Sequence, residues 1–75
     1  MSICDLYPGQ KAYVEIVAGE EKLCKRLNAL GCVQGAEITF KNKAPLGDPI
    51  IINLKGTTLA LRKKDAKLIQ VKKAN

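Results

Sequence analysis

The chain has 75 residues, with 13 Lys and Arg against 7 Asp and Glu for a net charge of +6, 47% hydrophobic residues, three Cys and no His. A domain of this size hides only about 60% of its unfolded surface, which argues against a deep catalytic cleft. The absence of His excludes His-dependent triads, imidazole-ligated metal sites and imidazole acid–base catalysis.

Met1 to Asp5 has neither a basic n-region nor an apolar h-region, so a cytosolic chain is expected. Tyr7-Pro8-Gly9-Gln10 is a type II turn signature, with Pro preset at the first central position and Gly free to take positive φ at the second. From Lys11 to Val17 the chain alternates, placing Ala12, Val14 and Ile16 on one face and Tyr13 and Glu15 on the other, which predicts a half-buried strand ended by Gly19. Glu20 to Leu30 follows with Leu23, Leu27 and Leu30 at i, i+4 and i+7 and predicts the chain's one helix, its leucine stripe held against a sheet. Glu20 and Glu21 suit the positive end of the helix dipole, Lys25 and Arg26 lie toward the negative end, and Gly31 is placed for a left-handed C-terminal cap.

Period two returns after Gly35, with Ala36, Ile38 and Phe40 inward. It resumes past a Pro-rich loop with Ile50, Ile52 and Leu54. Lys55-Gly56 reads as a hairpin turn, either a two-residue primed turn or one with a bulge. Thr57 to Arg62 is a fourth strand with Leu59 and Leu61 on one face, Lys63 to Ala66 interrupts it, and Leu68 to Val71 forms a fifth before a frayed tail from Lys72 to Asn75. Five short strands with one helix after the first predict a mostly β, small α+β domain spanning residues 1–75, built as a strongly bent β-barrel that hides its edges.

The most informative segment is Ala44-Pro45-Leu46-Gly47-Asp48-Pro49. Two prolines remove two amide donors and set backbone angles, so the loop is stiff and stays out of a central ladder. It is either a plain turn between strands or a recognition element whose Leu46 binds with little loss of entropy. Asp48, before Pro in a Gly-containing loop, is placed to accept neighbouring amides and hold the loop's shape.

Cys4, Cys24 and Cys32 match neither a disulfide framework nor a CxxC motif and read as reduced thiols. The carboxylates form no paired dyad and read as solvated. Glycine-rich phosphate cradles of either standard spacing are missing. Arg62-Lys63-Lys64 with Lys67, Lys72 and Lys73 could meet phosphates, but stacking aromatics are scarce, Tyr13 being the one obvious candidate. The longest uncharged run, Leu27 to Ala36, is far short of the roughly 20 apolar residues a membrane-spanning helix needs.

Taken together, Arg26-Leu27-Asn28-Ala29-Leu30-Gly31, Gly35, Ala44 to Ile50, Gly56, Leu59-Ala60-Leu61-Arg62 and Ile69-Gln70-Val71 resemble the FeoA family, ferrous iron transport protein A, and Leu6 to Gly9 resembles its opening Leu-x-x-Gly turn. The chain departs from that family's pattern at Gln34, where Pro is usual before Gly35, and at Thr57, where an aromatic is common after Gly56. The resemblance implies an SH3-like five-stranded barrel with one inserted helix, and a cytoplasmic, non-enzymatic accessory protein of ferrous iron uptake that docks on FeoB, the membrane transporter with a GTP-binding domain. The same module resembles the C-terminal domain of DtxR-type repressors, whose helix-turn-helix region this chain has no room for. No cofactor or resident metal is expected, and a monomer is.

The docking residues expected on this basis are Lys25, Arg26 and Asn28 on the solvent side of the helix and Pro45, Leu46, Gly47, Asp48 and Pro49 in the loop. Two alternatives are a basic nucleic-acid-binding barrel, which would lose affinity steeply with salt, and a thiol metal carrier, which requires Cys4, Cys24 and Cys32 to converge on one ion.

Overall fold

The computed structural model describes residues 1–74. A 310 turn at Ile3–Asp5 precedes strand β1 (Lys11–Val17), helix α1 (Glu21–Ala29), strands β2 (Glu37–Lys43), β3 (Ile50–Leu54) and β4 (Thr57–Leu61), a one-turn helix α2 (Lys63–Ala66) and strand β5 (Ile69–Lys73). The strands form one antiparallel sheet in the order β4-β3-β2-β1-β5. The ring expected from a barrel is not closed by hydrogen bonds, because β4 and β5 share no ladder and α2 spans the step between them.

The inward faces supply an aliphatic core around the single Phe40, with Ile38, Ile50, Ile52, Leu54, Ile69 and Val71 all nearly or fully buried. Ile50, Ile52 and Leu54 alternate inward along β3 as the period of two requires. Ile16 does not follow its strand: a register shift between Val14 and Ile16 in the β1–β5 ladder inserts one residue, so Ile16 points to solvent and Val17 packs on the core instead.

Helix α1 is stopped by a Schellman arrangement. The Cys32 amide donates to the Leu27 carbonyl at 2.9 Å and the Gly31 amide to the Asn28 carbonyl at 3.0 Å, with Gly31 at φ +92°. Of the expected leucine stripe only Leu27 is fully buried; Leu23 is half-buried and Leu30, in the turn where the helix unwinds, is 49% exposed.

The hairpin between β3 and β4 is a two-residue primed turn. Leu54 pairs with Thr57, and both Lys55 and Gly56 take positive φ, at +51° and +83°. The Asn53 side-chain oxygen accepts the Gly56 amide at 3.1 Å and braces the turn.

The expectation of a single helix fails at α2, which is too short to show a helical period, and at the 310 turn, which Ser2 caps through its hydroxyl while Asp5 accepts the Ser2 amide. The expected frayed tail also begins too early. Lys72 and Lys73 belong to β5, opposite Tyr13 and Ala12, whereas Leu68 lies before the strand; Asn75 falls outside the described residues.

The two sheet edges are treated differently. On the outer side of β5 the Val71 amide donates to the Met1 carbonyl at 2.8 Å and Ser2 bridges Gln70, so the N-terminal segment covers the middle of that edge. The outer side of β4 is bare among the described residues.

Candidate functional site

Residues Ala44 to Pro49 form a closed loop. The Gly47 amide donates to the Ala44 carbonyl at 2.7 Å and the Ala44 amide to the Pro49 carbonyl at 3.0 Å, and the Asp48–Pro49 peptide is cis. Leu46 at the tip is 95% exposed, an apolar side chain presented on a backbone braced from inside. Pro45 and Asp48 are exposed, Gly47 and Pro49 half-buried. Asp48 does not take up neighbouring amides as expected, the loop being closed by its own backbone; its Oδ1 instead accepts the Lys63 amide at 3.0 Å, satisfying a donor at the start of α2.

On α1, Lys25, Arg26 and Asn28 are all exposed. Lys25 pairs with Glu21 one turn earlier at 3.2 Å, a solvated contact of little energetic weight. Arg26 reaches Asp65 of α2 at 3.5 Å. The two patches expected from the sequence are therefore linked through α2, which Asp48 holds at its first residue and Arg26 touches at its third. Lys25 and Asn28 have no such link.

A second feature was not expected. Between α1, β4 and the α2–β5 corner lies a groove of about 630 Å³ whose apolar walls include Leu23, Leu27, Leu30, Leu59 and Leu68. Lys22, Arg26, Arg62 and Lys64 stand along it, against Glu20 and Asp65. Leu30, which a helical stripe assigns to the core, is a wall of this groove.

The three thiols are dispersed. Cys4 lies near the Lys63 carbonyl at 3.6 Å, Cys24 donates to the Val17 carbonyl at 3.5 Å, and Cys32 is buried beneath the end of α1. Burial pushes the Cys32 thiol above its ordinary pKa of 9.0, so it remains protonated at neutral pH. Among the described residues no three Cys, Asp or Glu side chains are grouped to hold a metal ion, which leaves the thiol-carrier alternative without a site. No helix among them is long and apolar enough to cross a membrane.

A family model described as "FeoA domain" matches residues 1–73. A curated relative from Porphyromonas gingivalis, "Fe(2+) transport protein A/Fe(2+) transporter FeoB fusion protein", is 34% identical over 71 residues, which are 95% of this chain but only 8% of that protein. Among solved structures, the FeoA protein of Chlorobium tepidum superposes with a TM-score of 0.91 at 41% identity, covering 95% of this chain and 68% of the other. The zinc-complexed FeoA of Stenotrophomonas maltophilia, described as an SH3 domain protein, superposes with a TM-score of 0.83 at 32% identity, covering 96% and 89%. A match over nearly the whole length, together with the five-stranded SH3-like architecture, identifies this chain as a member of the FeoA domain family.

Proposed function

We propose that this chain is a non-catalytic accessory protein of ferrous iron uptake that works in the cytoplasm by docking on the cytoplasmic part of an FeoB-type transporter. The observation that carries the reading is the Porphyromonas relative, in which a segment matching 95% of this chain shares one polypeptide with a transporter named FeoB. Two partners that act together gain effective concentration when joined, so a fused arrangement is what a docking pair would favour.

The contact residues proposed are Lys25, Arg26 and Asn28 of α1 with Pro45, Leu46, Gly47, Asp48 and Pro49 of the loop. Leu46 supplies a preordered apolar knob, and the positive surface steers an acidic partner. The test is binding of the full chain to the cytoplasmic part of FeoB from the same genome, measured without nucleotide, with GDP and with a GTP analogue. Binding in at least one state is expected. Charge reversal at Lys25 and Arg26 should weaken it more at low salt than at high, because exposed charges are screened beyond about 10 Å at 0.1 M ionic strength. No binding in any nucleotide state overturns the proposal.

A further inference from the structure

We propose that the groove between α1 and β4 is a receptor for an extended, acidic peptide segment that adds to the sheet as a strand beside β4; as a statement about the partner, this rests on the docking reading above.

The bare edge is the first observation. Pairing of Leu54 with Thr57 across the two-residue turn makes Thr57, Leu59 and Leu61 the residues that exchange hydrogen bonds with β3, so the N–H and C=O groups of Thr58 and Ala60 point the other way. Neither residue has another backbone partner among the described residues. The opposite edge of the sheet is covered at Gln70 and Val71 by Met1 and Ser2, whereas nothing among the described residues pairs with the outer edge of β4.

The groove is placed at that edge. Side chains alternate faces along a strand, yet Leu59, Ala60 and Leu61 of β4 all line it in succession, with Arg62 just past the strand's end. A cavity that meets consecutive residues approaches the strand from its side, where the free backbone groups are. A segment lying there would pair with Ala60 and, running on along β4 past the end of the groove, with Thr58, turn alternate apolar side chains onto the leucine walls, and leave the others beside the charged rim.

Charge selects the occupant. Lys22, Arg26, Arg62 and Lys64 outnumber Glu20 and Asp65 along the groove, and Asp65 is already engaged by Arg26. A strand carrying Asp or Glu at alternate positions is attracted, whereas a basic one, a second copy of this +6 chain included, is repelled. Main-chain bonds would supply affinity and the alternating pockets specificity, as in other strand-addition complexes.

The test has two arms. In the first, the 15N-labelled full chain is titrated with a short synthetic peptide alternating Val with Glu, and with its Val-Lys counterpart. The amides of Thr58 and Ala60 should shift and gain protection from hydrogen exchange with the acidic peptide only. Equal response to both peptides, or shifts that avoid β4, overturns the proposal.

The second arm measures binding to the cytoplasmic part of FeoB. Ala60→Pro removes an outward donor without touching the β3 ladder and should weaken binding at least tenfold. Leu30→Glu, at a half-exposed position that leaves the core intact, should do the same, whereas Lys72→Glu, which reverses a charge outside the groove, should not. Wild-type binding that survives Ala60→Pro and Leu30→Glu sinks the groove proposal and leaves the docking reading standing. A wild-type chain that ignores FeoB yet takes the acidic peptide at β4 sinks the docking reading and leaves the groove standing.

Discussion

Replacing Leu27 with Ala tests whether α1 is held by one side chain or by a stripe. Leu27 is fully buried, whereas Leu30 on the same helical face is 49% exposed. Truncating a buried Leu removes its transfer free energy and leaves a cavity, at a cost of about 2–5 kcal/mol. A domain of 75 residues at roughly 0.05–0.15 kcal/mol per residue has only about 4–11 kcal/mol in total. A loss near the middle of the range, about 3 kcal/mol, therefore consumes a large part of the stability and lowers Tm by about 12–24 °C for a domain this small. Leu30→Ala, on a solvated wall, should stay within about 1 kcal/mol, and Leu23→Ala, half-buried, should fall between the two. Urea titration followed by far-UV circular dichroism measures all three, with the slope expected to be unchanged so that midpoints can be compared directly. If Leu30→Ala costs as much as Leu27→Ala, the helix rests on the whole stripe and the assignment of Leu30 to the groove is wrong.

Three further outcomes follow from local geometry. Gly19 sits at φ +111° and a Cβ there would lie 2.8 Å from Leu68 Cδ1, so Gly19→Ala should destabilise by about 2–3 kcal/mol, backbone strain plus crowding of a side chain that can partly yield; a thermal melt unchanged from wild type would refute this. Lys55 adopts φ +51° at the first position of the primed turn, where Asn is preferred, so Lys55→Asn should stabilise by roughly 0.5–1 kcal/mol in the same urea titration, and a loss would contradict the turn assignment. Burial raises the Cys32 thiol pKa in the folded state, so its contribution to stability is complete below the ordinary value of 9.0 and is lost as pH rises above it toward the folded value. Cys32→Ala should flatten that alkaline decline, measured as urea midpoint against pH; an unaltered slope would assign the decline to other groups.

The parts of this molecule that were readable from sequence are those set by local rules. Ile50, Ile52 and Leu54 go inward because the strand period leaves no other choice, and Gly31 ends α1 because the left-handed cap needs it. Ile16 was misplaced because its bulge arises from pairing with β5, more than fifty residues away in sequence, as the Ile16 and Gln70 numbers show. The Pro45 and Pro49 loop was recognisable from its prolines, but the partner that ties Asp48 down, the Lys63 amide, is fifteen residues further on and gives no local signal. The groove could not be read at all. Its walls come from α1, β4 and Leu68, three segments whose juxtaposition is a property of the folded sheet, and its leucines look in isolation like ordinary core positions.

The cover that Met1 and Ser2 place over β5 limits how copies of this molecule can associate. With one sheet flank partly covered among the described residues, two molecules brought together through their β4 flanks, against the repulsion of their like charge, have no second fully bare flank to offer, and growth stops at a pair. Removing those two residues would leave every molecule with an acceptor flank on each side, and head-to-tail addition could then continue without closing, the geometry from which fibres grow.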